Sequence, residues 1–435
     1  MWSTWSSAAR GTEPRRLPAL LVALVLAAGL LAGCQDDDEP SGTPVDPGIS
    51  TAQAMRTEQR ILGQRARAVR SGNLALFLRH VDRSDRGLVS RQRRYFRNLQ
   101  QLPIQRFGYK VLPAQWTGLA LAPDWGEDVR IPKVRVSLQL EGYDAVPVRR
   151  IVGFVFSHAD GRAAIVSDQT RDGERLAEGP LAPWDITAIT VREAPGVLAV
   201  LDRRTRSSAD AVTAAVSQGM GDLEDALPFD WDGRVVVYHV GSTRVLSSFT
   251  DVPGGVITHL GAMTFPEYAT ARRDKVASTR MLLLPSSVRA GQPFLGRISR
   301  HELSHVAIGS RDDGVPTWVS EGLAEYLGAR PVPAGRRIIP TSALAEAQGQ
   351  DLAMPASKGF NGAEQEWNYA LSWMAFDLIA QTRGEGKVWE LVEAMHDGGR
   401  GTRDRAQDAV LLEVLGMDNR ELARQAAARI RSIYG

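Results

Sequence analysis

The chain has 435 residues, of which 43% are hydrophobic and 23% are charged, and its formal net charge is +2 at pH 7. This composition is typical of globular proteins and excludes a wholly disordered chain. Arginines alternate with acidic residues and form no strip with aromatic residues, which argues against a nucleic-acid partner. The length exceeds what one ordinary core holds, so we predict two folded domains with tails.

The amino terminus has the pattern of a secretory signal peptide, which we predict over residues 1–33. Arg15 and Arg16 precede an apolar run from Leu17 to Ala32. A basic segment followed by a short apolar segment is typical of such signals. The run is shorter than the roughly 20 residues needed to cross a bilayer. A membrane-anchoring helix is the alternative interpretation.

The apolar run ends in Leu31-Ala32-Gly33-Cys34, which resembles the lipobox of bacterial lipoproteins. The resemblance implies that Cys34 is acylated, becomes the first residue of the mature protein, and attaches it to the outer face of the cell membrane. Cys34 is the only cysteine of the sequence, so it has no partner for a disulfide within the chain. Residues 34–50 are rich in acidic residues, proline and glycine, which predicts a disordered tether.

Residues 51–175 are predicted to form a small N-terminal α+β accessory domain. Apolar spacing predicts helices at 51–71, 74–81 and 88–102. Alternating apolar and polar residues then predict strands between 134 and 166. We expect a curved antiparallel sheet that covers the first helix. This order of elements resembles the nuclear-transport-factor-like cone folds, and the sequence indicates no activity for this domain.

Glycine and proline between 171 and 184 predict a linker to a second domain at 184–435. In that domain the pattern predicts a sheet, then a helix at 292–308, then a helical part from Thr341 to Tyr434. The sheet strands are expected at 186–192, 197–201, 234–240, 256–263 and 280–284, with a helix at 208–227. This order predicts an α+β fold whose functional site lies between the sheet and the C-terminal helices.

The sequence His301-Glu302-Leu303-Ser304-His305 is the most informative motif of the chain. On a helix, residues four apart lie on the same face, about 5–6 Å apart at their Cβ atoms. Two imidazoles at that spacing can bind one metal ion while Glu302 lies beside them as a proton acceptor. Hydrolytic zinc sites need a third protein ligand. Glu321 is the best candidate, because residues 306–320 are enough to turn the chain back.

Downstream, the chain reads Trp318-Val319-Ser320-Glu321-Gly322-Leu323-Ala324-Glu325-Tyr326. Together with the His-Glu motif, this resembles the gluzincin metallopeptidases, the clan of thermolysin and the zinc aminopeptidases. The resemblance is strong over 295–330 and extends over 186–435 only in the order of elements. It implies that His301, His305 and Glu321 bind Zn²⁺. It also implies that Glu302 takes a proton from the attacking water and gives it to the leaving amine.

The same resemblance implies roles for two further residues. Glu325 lies one turn after Glu321 and would accept a hydrogen bond from His301, thereby orienting it. Tyr369 would donate a hydrogen bond to the oxyanion that develops on the substrate, with His396 as a weaker candidate. A solvated helix charge is the alternative for Glu325, and core packing is the alternative for Tyr369.

Gly261-Ala262-Met263 resembles the segment that precedes the metal motif in zinc aminopeptidases. Those enzymes continue with a glutamate that binds the free amine of the substrate and an asparagine, whereas this chain has Thr264 and Phe265. The difference argues against an aminopeptidase and favours an endopeptidase. The strand would still offer its edge to an extended peptide.

These observations predict a zinc-dependent peptidase, exported and lipid-anchored, that acts on a peptide or protein substrate. One alternative is a lipoprotein binding module whose metal site is structural or catalytically silent. Glu302 argues against it, because a structural site needs no base and closes its fourth ligand position. The other alternative is a metal-dependent hydrolase of a non-peptide amide or ester, which the same ligand set allows.

Overall fold

The computed structural model describes residues 50–126, 128–159, 162–250, 252–397 and 407–435. The predicted signal peptide, the predicted acylation site at Cys34 and the tether before Ser50 lie outside these ranges. Within them the fold is a mixture of helices and three β-sheets, as the sequence predicted at the level of an α+β class. Among the described helices, none combines the length and the apolar character needed to cross a bilayer.

Three helices open the described chain: α1 (Thr51–Arg70), α2 (Leu74–Phe77) and α3 (Arg86–Leu99). All three were predicted, but α2 is shorter than expected and α3 begins earlier. The early start of α3 has a local cause. The side chain of Asp85 accepts a hydrogen bond from the backbone N–H of Leu88, which satisfies a free donor of the first turn.

Two three-stranded antiparallel sheets follow these helices. The first has the order β1-β3-β4 and the second the order β2-β5-β6. Their strands are β1 (Ile104–Gln115), β2 (Val129–Arg130), β3 (Pro132–Leu140), β4 (Val148–Gly153), β5 (Val155–Ser157) and β6 (Ala164–Ser167). Helix α1 lies on β1, where the Gln59 side chain donates to the carbonyl oxygen of Tyr109 and accepts from the N–H of Val111. The expected packing of a sheet on the first helix is therefore confirmed.

A five-stranded mixed sheet forms the centre of the molecule, in the order β10-β11-β9-β8-β7. Its strands are β7 (Ile189–Ala194), β8 (Val197–Asp202), β9 (Val235–His239), β10 (Ala262–Tyr268) and β11 (Val276–Leu283). The three inner strands β8, β9 and β11 are parallel to one another, and β7 and β10 pair antiparallel at the two edges.

Helices connect these strands and make up the C-terminal part of the chain. They are α4 (Pro183–Ile186), α5 (Ala209–Glu224), α6 (Thr243–Leu246), α7 (Pro285–Ala290), α8 (Phe294–Ile308), α9 (Thr317–Ala329), α10 (Thr341–Glu346), α11 (Gln365–Arg383), α12 (Glu385–Asp397), α13 (Gln407–Leu415) and α14 (Asn419–Tyr434). The expected helical C-terminal part is confirmed, and a non-helical connection separates α10 from α11.

Both faces of the central sheet are buried, which explains why every residue of β8 is buried. Val197 and Ala199 pack in the core that contains α5, α8 and α9, whereas Leu198 and Val200 pack in the core that contains α1 and α3. Strands covered on both faces have continuous apolar runs. The N-terminal elements thus share a core with the sheet, and the division into two domains stays a prediction.

The predicted strand at 256–263 is wrong in its bounds. Residues 257–259 form a 3₁₀ turn, and the strand begins at Ala262 and continues through Pro266 to Tyr268. Pro266 normally indicates the end of a strand because it cannot donate to a ladder. It is tolerated here because β10 is an edge strand.

Candidate metal centre

Helix α9 packs closely between α8 and α11, and two glycines allow this approach. A Cβ atom at Gly322 would lie 2.7 Å from the carbonyl oxygen of Ser372 on α11. A Cβ atom at Gly328 would lie 3.1 Å from the carbonyl oxygen of Arg297 and 3.4 Å from the Cβ of His301 on α8. Small residues at helix contacts bring the two backbones together. The polar residues of α8 and α9 therefore face each other at short range.

Three predicted ligands meet between α8 and α9. Nε2 of His301 lies 3.4 Å and Nε2 of His305 lies 3.6 Å from Oε2 of Glu321. Ligand atoms of the three residues all lie within 4.8 Å of one another. His301 and Glu321 are 1% and 0% exposed, and His305 is 8% exposed. The structure thus brings together the ligand set that the sequence predicted.

The donor atoms fit a metal ion. Nε2 of His301 and Nε2 of His305 are buried and have no hydrogen-bond partner among the described residues. Buried polar atoms without a partner are rare in proteins, because leaving them so costs free energy. Two imidazole nitrogens and one carboxylate oxygen suit zinc and several other divalent transition metals. This buried group could therefore hold a metal ion.

The charges of the group compensate one another. Burial lowers the pKa of His301, but the carboxylates of Glu325 and Glu321 outweigh this effect and raise the pKa to about 9. Burial likewise opposes the protonated form of His305, but Asp312 and Glu321 hold its pKa well above its ordinary value. Burial raises the pKa of Glu321, but the two histidines hold it well below its usual range. These carboxylates favour the protonated form of both histidines in the metal-free site, and a bound metal would replace those protons.

Glu325 lies where the sequence placed it. Its Oε1 is 3.1 Å from Nδ1 of His301, and its Oε2 accepts a 2.5 Å hydrogen bond from Arg297. Burial raises the pKa of Glu325, but Arg297 and His301 outweigh this effect and lower the pKa to about 2. At 2% exposure, Glu325 is not a solvated helix charge. Its carboxylate lies beside the ring of His301, but Nδ1 of His301 and Oε1 of Glu325 do not meet in the geometry of a hydrogen bond, so the orienting role stays a prediction.

A second carboxylate, that of Asp312, lies near His305 and was missed by sequence reasoning. Its Oδ2 lies 3.8 Å from Nδ1 of His305 and accepts a 2.5 Å hydrogen bond from the hydroxyl of Ser320. Asp312 belongs to the turn between α8 and α9. The only signal in the sequence was its position in that turn, because the turn geometry decides whether it reaches the histidine.

Glu302 lies beside the ligands without belonging to them. Its Oε2 is 2.8 Å from the hydroxyl of Thr264 on β10, and its Oε1 is buried with no hydrogen-bond partner in the described residues. Burial raises the pKa of Glu302 to about 7, against the opposing effects of the two histidines and Thr264. Thr264 stands at the position where the zinc aminopeptidases have a glutamate. In this structure its hydroxyl lies within hydrogen-bonding distance of one oxygen of Glu302.

Tyr369 also lies near the ligands. The centre of its ring is 6.4 Å from the centre of the His301 ring, and its hydroxyl donates a 3.1 Å hydrogen bond to Oδ1 of Asn361. The ring is buried against Phe360, with the ring centres 5.0 Å apart. Tyr369 therefore packs in the core and lies near the ligands at once, and its role as an oxyanion donor stays a prediction.

His396 occupies a different position. Its Nδ1 lies 2.9 Å from the carbonyl oxygen of Asp313, in the turn between α8 and α9. It does not belong to the group of possible ligands.

Comparison with protein-family models finds none that matches this chain, and comparison with curated proteins finds no match. The likeness to the gluzincins therefore rests on the sequence motifs.

Proposed function

We propose that this protein is a zinc-dependent peptidase that hydrolyses peptide bonds at the outer face of a bacterial membrane. The supporting observation is the convergence of His301, His305 and Glu321 with Glu302 beside them. A site that only stabilises the fold has no use for an additional carboxylate that is not a ligand. A hydrolytic site needs such a group as a base.

Glu302 supplies the proton transfers in this proposal. Zinc bound to the three ligands would polarise the substrate carbonyl and make water more acidic. Oε1 of Glu302, which Thr264 leaves without a partner, accepts the proton of the attacking water and delivers it to the leaving nitrogen. In the metal-free site burial raises the pKa of Glu302 to about 7, toward the range that suits a base at neutral pH.

The proposed reaction requires the site to open, because Glu302 and Glu321 are fully buried. The connection between α10 and α11 covers Tyr369, since Phe360 packs on its ring and Asn361 accepts its hydroxyl proton. A Cβ atom at Gly254 would lie 3.5 Å from the carbonyl oxygen of Asn361, so the connection also packs against this glycine. Movement of the connection between α10 and α11 would open space beside Tyr369 for a substrate.

Glu302→Gln tests the mechanism, because it keeps the shape of the side chain and removes its basicity. We expect unchanged zinc content and a loss of peptide hydrolysis of about 10²–10⁴-fold. Mass-spectrometric analysis of a digested random peptide library measures the rate, and metal analysis measures the zinc. Glu346→Gln, at an exposed position on α10, is the matched control and should behave as wild type. Full activity of Glu302→Gln would reject the mechanism.

The predicted lipid anchor has its own test. Replacement of the acylated side chain in Cys34→Ala should move the protein from the membrane fraction to the soluble fraction, because the acyl chains supply the membrane affinity. The measurement is fractionation of cells that produce either form. An unchanged distribution would contradict the anchor while leaving the peptidase proposal intact.

Complete burial of Glu302 favours a second candidate, a binding module with a structural metal. In that case the metal-loaded wild-type protein cleaves no peptide in the library, and chelation lowers its melting temperature sharply. The peptidase proposal instead expects cleavage by the metal-loaded protein. The same library digestion, performed before and after chelation, separates the two candidates.

A further inference from the structure

A second site of distinct chemistry lies in the N-terminal part of the molecule. A cavity of about 1070 Å³ opens between α2, α3 and the start of β7, and it shares no residue with the metal centre. Pockets that bind small molecules have volumes of about 300–1,000 Å³. The cavity is therefore large enough for an organic ligand. We call it the arginine cavity, because its lining includes Arg83, Arg86, Arg93, Arg94 and Arg97.

The period of α3 explains why these side chains gather on one side. Arg86, Arg93 and Arg97 are seven and four residues apart, so they follow one stripe of the helix. The opposite stripe contains Leu88 and Phe96, which are buried in the core. Burial of the apolar stripe therefore directs the basic stripe into the cavity.

Within the part of the chain that the structure describes, the arginines of the cavity are not paired one by one with acidic side chains. Among the described residues, none of the five arginine side chains makes an ion pair or a hydrogen bond, and no carboxylate lines the cavity. The acidic group that acts on Arg94 is Asp168. Its carboxylate is already bonded to Arg91, Gln92 and Arg175. In addition, Nε of Arg94 is buried without a partner.

The other lining residues are mostly apolar, namely Leu74, Ala75, Leu78, Val89, Ala188 and Ile189, with the polar Ser90, Asn98 and Gln101 among them. No aromatic side chain lines the cavity, so it lacks the stacking surfaces that single-stranded nucleic acids use. Guanidinium groups bind phosphate through paired, charge-assisted hydrogen bonds. A ligand that satisfies both parts of the lining carries a phosphate and an apolar portion.

We propose that the arginine cavity binds an anionic amphiphile. Its phosphate lies among Arg93, Arg94 and Arg97, and its apolar portion covers Leu74, Leu78 and Val89. Two sources share this chemistry, namely an anionic phospholipid and a soluble alkyl phosphate. The proposal does not depend on peptidase activity, because it uses none of the residues of the metal centre.

Isothermal titration of the full chain with four soluble probes tests the proposal. The probes are dihexanoyl phosphatidic acid, hexyl phosphate, inorganic phosphate and dihexanoyl phosphatidylcholine, each below its micelle concentration. We expect saturable one-to-one binding of one or both amphiphilic phosphates, and binding of inorganic phosphate and phosphatidylcholine weaker by about tenfold or more. Preference for the phosphatidic acid indicates a lipid source, and preference for hexyl phosphate indicates a soluble one.

The double variant Arg93→Gln/Arg97→Gln identifies the site. Each lost charge-assisted hydrogen bond weakens binding by about tenfold or more. Arg56→Gln/Arg60→Gln removes the same charge from exposed positions of α1 and should bind as the wild type does. Val89→Glu places a carboxylate among the arginines and should also abolish binding, with circular dichroism to verify the fold. Absence of saturable binding, equal binding by the double variant, or equally tight binding of inorganic phosphate would each overturn the proposal.

Discussion

The metal centre and the arginine cavity place charged side chains in opposite environments. The charges of the metal centre are buried and paired, whereas those of the arginine cavity are mostly exposed and unpaired among the described residues. At the metal centre, two histidines and Glu321 are buried, and each charge has an opposite charge within 4 Å. Five arginines line the arginine cavity, four of them exposed and Arg94 half-buried, and none of their side chains makes an ion pair within the described residues. Burial demands compensation, because a lone charge in a low-dielectric interior is costly. Exposure allows like charges to remain unpaired until a ligand arrives.

This difference predicts opposite consequences when a charge is removed from each site. Loss of one charge at the metal centre leaves its partners buried and uncompensated, so the protein should become less stable. Loss of one charge from the arginine cavity relieves repulsion, so stability should stay constant or rise.

The largest effect is expected for Glu321→Gln in the metal-free protein. The variant keeps the volume of the side chain but leaves two protonated histidines without their shared carboxylate. We expect the free energy of unfolding to fall by about 3–5 kcal/mol below pH 6.5. Chemical denaturation in the presence of a chelator measures it, with Glu346→Gln as the exposed control. A change below about 1 kcal/mol, the value typical of exposed pairs, would show that the carboxylate does not compensate the histidines.

The second-largest effect is expected when the metal is removed. The free energy of unfolding of the metal-free protein should then depend on pH. Because the pKa of His301 is raised from 6.5 to about 9 in the folded protein, its protonation stabilises the metal-free fold fully below pH 6.5. This contribution, about 3 kcal/mol, is lost as the pH rises from 6.5 through 9. Metal binding should strengthen over the same range, because the metal competes with those protons.

Denaturation of the chelated and the metal-loaded protein between pH 6 and 10 tests this expectation. The two stability curves should separate as the pH rises. Parallel curves would mean that the histidines carry no extra protons in the metal-free state.

The smallest effect is expected for Arg94→Met in the arginine cavity. Methionine keeps most of the apolar stem and removes a guanidinium whose Nε is buried without a partner. We expect the free energy of unfolding to stay constant or to rise by about 0.5 kcal/mol. Thermal and chemical denaturation measure it, with Arg56→Met as the exposed control. A clear destabilisation would show that Arg94 is compensated within the protein, and the contrast between the two sites would fail.

Predictions from the sequence succeeded where helix geometry alone decides the outcome. The four-residue spacing of His301 and His305 places both on one face of any helix. The apolar period likewise located α1, and the mixed α+β class followed from the change of period along the chain. The bounds of β10 were predicted wrongly. A strand can contain Pro266 only at the edge of a sheet, and the order of the strands, which the sequence does not show, decides which strand lies at the edge.

The amino-acid sequence by itself determined the ligand motif, the carboxylate beside it and the order of the helices and strands, because these depend on residues close together in the chain. Only the tertiary structure decided that Thr264 reaches Glu302, that Asp312 approaches His305 and that Arg83 and Arg97 line one cavity. Those contacts join residues from different elements, and their distances depend on how the elements pack. Packing also decided how deeply each charge is buried, and burial determines whether that charge must be compensated within the protein or can await a ligand.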